Sequence, residues 1–181
     1  MSILRYPHEK SDPRKVKTMK LYLVQHGEAL PKEVDPERGL SDQGKEDVTH
    51  IAAFLAKGGI QVERIFHSSK KRAEQTARLF ESCLSSGAEL CQKEGISPLD
   101  PVDNLAREVD NWQDDTILVG HLPYMGKLVS RLVAEKEDVP LVNFQPGSVV
   151  CLERDETGSW IIVLMVRPEL LSGDIKLKEN Q

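Results

Sequence analysis

Apolar residues in this chain alternate between short continuous runs and longer stretches where they recur every three or four positions. The short runs predict buried strands; they are residues 21–24, 64–67 and 116–120. The longer stretches predict amphipathic helices; these run from a cap at 41 to about 57, from 68–69 to about 84, from about 102 to 112, and onward from about 122.

The end of the chain shows a different pattern. Residues 148–153 and 159–166 predict two strands, and the turn Asp155-Glu156-Thr157-Gly158 between them makes a hairpin. Residues 85–101 are rich in loop formers, with room for one short strand. We therefore expect an α/β fold of three layers, α/β/α, with a mostly parallel sheet, an antiparallel edge and helices on both faces.

Length and polarity suggest one folded domain with two polar ends. The 181 residues fit a single domain. We assign residues 1–19 to a flexible N-terminal extension, because they are polar and basic without periodicity, residues 20–166 to the domain, and residues 167–181 to a polar C-terminal tail. Met19 stands directly before the first strand and is an alternative to Met1 as the translation start.

Composition argues against several classes of protein. A net charge of −5 and a pI near 5.6 argue against a nucleic-acid partner. No apolar run approaches the roughly 18 residues that span a bilayer, and residues 1–20 lack the apolar core of a signal peptide. Three cysteines (Cys83, Cys91 and Cys151) without a CxxC motif argue against a structural zinc site and favour the cytoplasm.

Histidines follow two of the predicted parallel strands. His26 comes after residues 21–24, and His121 comes after residues 116–120. The carboxyl ends of parallel strands share one edge of the sheet, which is where open α/β sheets bind their ligands. Arg72 opens the helix after the second strand, and Arg38 lies in the loop after His26. Two histidines, two arginines and a helix N-terminus predict a site for a tetrahedral oxyanion, most simply phosphate.

These residue types suit phosphoryl transfer. The planar fork of arginine matches two phosphate oxygens. Neutral imidazole is abundant near neutral pH, which makes His26 a suitable nucleophile. A protonated His121 would stabilise negative charge on the transferring group.

Four strings of this sequence resemble the histidine phosphatase superfamily, and within it the small SixA-type phosphohistidine phosphatases. The strings are Gln25-His26-Gly27-Glu28-Ala29, Asp35-Pro36-Glu37-Arg38-Gly39-Leu40-Ser41-Asp42-Gln43-Gly44, Ser68-Ser69-Lys70-Lys71-Arg72-Ala73-Glu74-Gln75-Thr76 and Gly120-His121-Leu122-Pro123. The resemblance covers about residues 19–166, and it implies a phosphoglycerate mutase-like fold.

The resemblance also implies a mechanism. His26 would be phosphorylated and then hydrolysed, while Arg72 and His121 bind the phosphoryl group and Arg38 reaches in from its loop. Gln25 and Gly27 flank the nucleophile and belong to the same substrate-binding set. The expected substrate is a phosphohistidine on a partner protein, such as the phosphotransfer domain of a two-component relay. The implied chemistry needs no metal and no cofactor.

The family's esterases usually carry an acidic proton donor, which no motif locates in this chain. Asp103 and Glu108 lie between Arg72 and His121 and are the candidates. A leaving imidazole needs less protonation than an alkoxide, so the lack of a motif favours a substrate with a P–N bond.

Gln25 departs from the family pattern, which has arginine before the histidine. Loss of one charged donor typically costs about 10²–10³ in rate. Compensation by Lys32, Lys70 or Lys71 is one outcome, because lysine serves phosphate as a point charge. A low-activity phosphatase homologue that binds phosphorylated partners is an alternative function, and an esterase for small phosphorylated metabolites is another.

Overall fold

The computed structural model describes residues 18–84 and 87–171, which form a six-stranded sheet with helices on both sides. The strands are β1 Lys20–Gln25, β2 Arg64–His67, β3 Glu89–Gln92, β4 Thr116–Gly120, β5 Val149–Arg154 and β6 Trp160–Val166. The helices are α1 Asp42–Lys57, α2 Lys71–Leu84, α3 Val102–Val109 and α4 Tyr124–Ala134, followed by a 3₁₀ turn at Pro168–Leu170. The predicted elements are confirmed, although α2 begins two residues beyond Ser68-Ser69 and α3 is shorter than predicted.

The strand order β3-β2-β4-β1-β5-β6 explains how the site forms. Strands β3, β2, β4 and β1 run parallel, whereas β5 is antiparallel to both β1 and β6. The mostly parallel sheet with an antiparallel edge is therefore confirmed. Because β1 and β2 both pair with β4, the carboxyl ends of all three strands lie side by side at one edge.

The two faces of the sheet pack against different helices. Tyr22 and Val24 belong to a buried cluster with α1 and α2, whereas Leu21 and Leu23 belong to a second cluster with α3 and α4. This alternation along one strand follows from the two-residue period of side chains in a sheet. It produces the predicted three layers, and it buries β1 in the middle of the sheet from Leu21 to Gln25.

The loop after β1 lies directly on the first turn of α1. Ser41 caps α1, since its side chain accepts a hydrogen bond from the Gly44 N–H at 3.0 Å. The Ser41 N–H donates to the carbonyl of Glu28 at 2.9 Å. A Cβ atom built on Gly44 would lie 2.2 Å from that same carbonyl oxygen, and one built on Gly27 would lie 2.8 Å from the Gly44 carbonyl. Only glycine allows this approach.

Replacing Gly44 with alanine should therefore destabilise the protein by about 1–3 kcal/mol, because the added methyl group collides with backbone that cannot rotate away. Urea unfolding followed by circular dichroism measures this change. Gly126→Ala is the matched control: it also lies within a helix, but its Cβ would have an ordinary contact of 3.8 Å. That substitution should be neutral or stabilising by about 0.5–1 kcal/mol. Equal effects of the two substitutions would contradict the packing described.

The predicted ends of the domain fall mostly outside the described residues. Of the predicted extension, only Thr18 and Met19 are described. The predicted tail begins with the 3₁₀ turn, whose Pro168 is buried, and is described only as far as Leu171. The domain boundaries thus stay predictions. None of the helices within the described residues is long and apolar enough to cross a membrane.

Candidate active site

The carboxyl ends of β1, β2 and β4 bring two histidines and a serine together. The His26 N–H donates to the carbonyl of Gly120 at 3.0 Å, which continues the pairing of β1 with β4 by one residue. Ser68 continues β2 in the same way, donating to Val119 at 3.3 Å. The ring centroids of His26 and His121 are 4.9 Å apart. The predicted juxtaposition of the two histidines is present.

The imidazole of His26 is fixed at both nitrogens. Its Nδ1 lies 2.7 Å from the carbonyl oxygen of Gly27, and its Nε2 accepts a hydrogen bond from Arg72 Nε at 3.0 Å. Because Nε2 accepts, the proton of the neutral ring is on Nδ1, where it donates to Gly27. The lone pair of Nε2 therefore faces the guanidinium of Arg72.

Gly27 orients the histidine through its carbonyl group, and its N–H is already bonded. That N–H donates to Thr76 Oγ1 at 3.1 Å, and the Thr76 hydroxyl donates to the Arg72 carbonyl at 2.8 Å. The sequence predicts Gly27 among the residues that bind substrate, and it shows Thr76 only as the last residue of the string 68–76. Thr76 lies four residues after Arg72, one turn along α2, and this spacing was the available signal.

His121 is buried and held by Ser68. Its Nε2 is 2.6 Å from Ser68 Oγ, and only 2% of the residue is exposed. Its Nδ1 is buried and has no hydrogen-bond partner within residues 18–84 and 87–171. The sequence predicts Ser68 at the start of a helix. In the structure its hydroxyl follows β2 directly and lies at the same sheet edge as the histidines.

Burial and nearby cations keep both imidazoles neutral. Burial lowers the pKa of His26 to about 4, and the charges of Arg72 and Arg38 act in the same direction. Burial lowers the pKa of His121 to about 3, with His26, Arg72 and Lys70 adding to the effect. With no anion bound, burial and these charges favour the neutral form of His121. A protonated His121 during phosphoryl transfer stays a prediction, because a bound phosphoryl group would add negative charge beside the ring.

Gln25 is buried, whereas Arg38 is exposed. Gln25 is 9% exposed, and its Oε1 has no partner among the residues described. Arg38 is exposed in the loop between β1 and α1, with a φ of 54° that non-glycine residues rarely adopt. The charge of Arg38 contributes to the lowered pKa values of both His26 and Arg72.

A basic cleft of about 760 Å³ extends from Arg72 and Arg38 to the surface. It is lined by Lys32, Pro36, Glu37, Arg38, Ser69, Lys70, Lys71, Arg72 and Glu74. Its two carboxylates are already engaged, since Glu37 pairs with Lys71 at 2.9 Å and Glu74 pairs with Arg78 at 2.8 Å. The charge of Lys71 is therefore balanced by its ion pair. Lys32 and Lys70 are the lysines of this cleft that remain as candidates to supply the positive charge that Gln25 lacks.

The two candidate proton donors form ion pairs on other parts of the surface. Asp103 pairs with Arg131 at 2.6 Å, which links α3 to α4. Glu108 pairs with Lys93 at 2.7 Å. Their carboxylates are held by cations in this way, and neither lines the basic cleft. No group of three or more histidine, cysteine, aspartate or glutamate side chains suited to a metal ion occurs within the part of the chain that is described.

This geometry can hold an oxyanion and accept a phosphoryl group. A neutral imidazole with an oriented lone pair is a nucleophile. The guanidinium beside it can stabilise the oxygens of a transferring phosphoryl group.

Comparisons with known proteins agree with this geometry. The sequence profile of the Histidine phosphatase superfamily (branch 1) matches residues 21–96. The phosphohistidine phosphatase SixA of Escherichia coli K12 is 26% identical over 148 residues, which cover 78% of this chain and 89% of SixA.

Solved structures show the same fold. The protein histidine phosphatase SixA complexed with tungstate superposes with a TM-score of 0.74 at 23% identity, covering 84% of this chain and 99% of that chain. A putative α-ribazole-5′-P phosphatase from E. coli K-12 gives 0.67 at 16% identity, covering 83% and 98%. The phosphoserine phosphatase of Entamoeba histolytica, in complex with 3-phosphoglyceric acid, gives 0.61 at 16% identity, covering 81% and 96%. These comparisons support the histidine phosphatase superfamily and a phosphatase activity for this chain, and SixA is among its relatives.

Proposed function

We propose that this phosphatase hydrolyses phosphohistidine on a partner protein, through a phosphoryl intermediate on His26. The observation that carries this proposal is the fixed ring of His26, whose Nδ1 faces the Gly27 carbonyl and whose Nε2 faces Arg72. The lone pair of His26 Nε2 points toward Arg72. It therefore also points toward the place where the guanidinium of Arg72 would hold a phosphoryl group.

The proposed reaction has two displacement steps. His26 Nε2 forms a bond to phosphorus while the P–N bond of the substrate breaks, and its electron pair leaves with the substrate imidazole. When the other nitrogen of that ring is protonated, neutral imidazole leaves without an acid. Water then attacks phosphorus, the bond to Nε2 breaks, and inorganic phosphate is released with the protons of the water.

Each of the remaining residues would act on the phosphoryl oxygens or on the nucleophile. Arg72 and Arg38 supply positive charge, and His121 supplies a neutral imidazole beside the nucleophile. The Gln25 amide can donate a hydrogen bond but carries no charge. Gly27, with its N–H bonded to Thr76, would contribute by orienting His26.

Three observations favour a phosphoprotein over a small phosphate ester. The carboxylates of the basic cleft are ion-paired, so no free acid in the cleft is ready to protonate an alkoxide. The cleft opens to the surface beside Arg72, and its lysines and arginines would attract the acidic surface of a partner. The relative SixA is named a phosphohistidine phosphatase. The expected cytoplasmic location, and the absence of a nucleic-acid partner, stay predictions.

Two alternatives have specific support. The fold similarity to an α-ribazole-5′-P phosphatase and a phosphoserine phosphatase favours a small-molecule phosphomonoesterase. Gln25 favours a low-activity homologue that binds phosphorylated partners with little turnover.

A substrate panel distinguishes these functions. Purified protein is assayed for phosphate release from a phosphotransfer protein phosphorylated on histidine, from free phosphohistidine, and from sugar phosphate and phosphoserine esters. We expect the phosphotransfer protein to give the highest kcat/KM. A higher kcat/KM with any of the esters would overturn the phosphohistidine assignment. Hydrolysis no faster than that of His26→Ala would support the binding homologue instead.

The lowered pKa of His26 predicts an unusual pH dependence. Because the ring must be neutral to attack, protonation should reduce activity only as the pH falls toward about 4. A histidine with an ordinary pKa would already have lost half of its neutral, nucleophilic form at a pH of about 6.5. We expect kcat/KM, corrected for the ionisation and acid lability of the substrate, to stay level from neutral pH down to about 5. Titration of the His26 ring by NMR is an independent measurement, and a midpoint above about 6 would contradict the described burial.

A further inference from the structure

Two exposed leucines lie in loops at the edge of the sheet that carries His26 and His121. Leu99 is 88% exposed, and Leu122 is 41% exposed. Leu122 directly follows His121 after β4, and Leu99 lies in the loop that leaves the carboxyl end of β3. Because β3, β2, β4 and β1 run parallel as neighbours, both loops start at the edge where the nucleophile lies.

The turn that carries Leu99 is anchored in the core on both sides. The Ser97 N–H donates to Asp100 Oδ2 at 2.7 Å, and the Asp100 N–H donates to the Ser97 carbonyl at 3.1 Å. Before this turn Ile96 is 1% exposed, and after it Val102 is fully buried. The leucine is therefore presented to solvent by an ordered turn, so a partner that binds it has little conformational entropy to remove.

The same turn lies near the start of α4, which Leu122 directly precedes with one proline between. Ile96 belongs to one buried cluster with Tyr124, the first residue of α4. Burial raises the pKa of the Tyr124 hydroxyl above its usual range, and the nearby charge of Asp100 acts in the same direction. The loops that carry Leu99 and Leu122 are thus joined through the buried residues beneath them.

The leucines and the basic cleft belong to opposite faces of the sheet. The cleft is lined by the loop after β1 and by the first turn of α2, and these lead into helices that pack on the face of Tyr22 and Val24. The loops of Leu99 and Leu122 lead into α3 and α4, which pack on the other face. The strand ends between them carry His26 and His121, so the site has a cationic side and an apolar side.

A protein substrate would contact both sides of this site. His121 is buried and His26 is half-buried, so a phosphohistidine has to enter between the two sides to reach the nucleophile. The protein surface around that phosphohistidine then meets the basic cleft on one side, where lysines and arginines attract carboxylates. On the other side it meets the two leucines, whose burial removes apolar surface from water.

We propose that Leu99 and Leu122 form an apolar rim that docks the protein carrying the phosphohistidine. The inference rests on the proposed function, since it concerns the surroundings of the same phosphohistidine. It assigns one occupant to the rim: a protein surface with apolar side chains on one side of its phosphohistidine and carboxylates on the other, which face the basic cleft.

Two substrates of different size test the inference. Leu99→Ser, Leu122→Ser and the double variant are assayed with a phosphotransfer protein phosphorylated on histidine and with free phosphohistidine. Each single substitution should lower kcat/KM for the phosphotransfer protein about 5–30-fold, mainly through KM, because an apolar contact that excludes water is lost. Free phosphohistidine does not reach the rim, so its kcat/KM should stay within about twofold of the native value.

The contrast between the two substrates decides the inference. Equal losses with both substrates would show that the leucines act on the catalytic site, and they would overturn it. A loss below about twofold with the phosphotransfer protein would also overturn it. Leu99→Met, which keeps the apolar volume, should stay within about threefold of the native kcat/KM with both substrates.

Ile161→Ser is the matched control. Ile161 is an isomer of leucine, is 38% exposed and lies near the start of β6. It pairs with Glu153, which pairs with Lys20 at the start of β1, so it lies at the opposite edge of the sheet from His26. Ile161→Ser should leave kcat/KM unchanged with both substrates, and a loss equal to that of Leu99→Ser with the phosphotransfer protein would overturn the assignment.

A binding measurement separates this inference from the proposed function. The Kd of the phosphorylated phosphotransfer protein is measured for His26→Ala with and without Leu99→Ser, and we expect Leu99→Ser to raise it about 5–30-fold. If the native protein hydrolyses no phosphohistidine, the proposed function fails, whereas that rise in Kd would still support the docking rim. An unchanged Kd, or no binding at all, would overturn the rim. A native dimer that Leu99→Ser dissociates in sedimentation would assign the rim to a second copy of the chain and would also overturn the inference.

Discussion

Replacing His26 with alanine should abolish turnover, with a loss of at least about 10⁴-fold in kcat and no phosphoenzyme. Removing the nucleophile of a covalent mechanism typically costs this much or more. In this site no second group has the same geometry, because the imidazole of His121 is 4.9 Å away and its Nε2 is bonded to Ser68. The measurement is phosphate release under saturating substrate, together with mass spectrometry of the intact protein.

His50→Ala is the control for this experiment. His50 is an exposed histidine on α1 and belongs to neither buried cluster. Its removal should leave kcat unchanged, and the circular dichroism spectra of both variants should match that of the native protein. Retention of more than about one tenth of native kcat by His26→Ala would exclude His26 as the phosphoryl acceptor.

Replacing Arg72 with alanine should have the next largest effect, a loss of about 10²–10³-fold in kcat/KM. Arg72 contacts the nucleophile through Nε at 3.0 Å, and we place its guanidinium on the phosphoryl oxygens. Arg72→Lys should recover part of the loss, because lysine restores charge without the planar fork. The NMR titration of His26 should also shift: removing the positive charge of Arg72 raises the pKa of His26 from about 4 toward its ordinary value.

Arg78→Ala is the matched control on the same helix. Arg78 is exposed and pairs with Glu74 at 2.8 Å. An exposed pair of this kind contributes little to stability. Arg78→Ala should therefore leave both kcat/KM and the His26 titration unchanged. If Arg72→Ala lowers kcat/KM by less than about tenfold, the assigned contact with the phosphoryl group is wrong.

The fold was predictable because the hydrophobic pattern of each element agrees with its place in the sheet. Strands β1 and β4 are continuous apolar runs, as expected for strands covered on both faces. Since β1 and β4 pair in parallel, His26 and His121 had to emerge at the same edge. The juxtaposition of the two histidines is therefore a consequence of two apolar runs, each followed by histidine.

The supporting contacts were less predictable, because they depend on three-dimensional distances that no local pattern encodes. Ser68 and Thr76 lie within recognisable strings, but their partners are 53 and 49 residues away in sequence. The ion pair between Asp35 and Lys71 joins the loop after β1 to a helix 36 residues further on. The neutral state of His121 follows from burial among cations, which the sequence does not reveal.

The most direct test of the central claim is the detection of a phosphoryl group on His26. The protein is mixed rapidly with a phosphohistidine donor, quenched in alkali, digested and analysed by mass spectrometry at high pH, where phosphohistidine survives. We predict one phosphoryl group, located on the His26 side chain, that forms before phosphate is released and is absent from His26→Ala. Phosphate release without a phosphorylated His26, or with the phosphoryl group on a different residue, would contradict the proposed function.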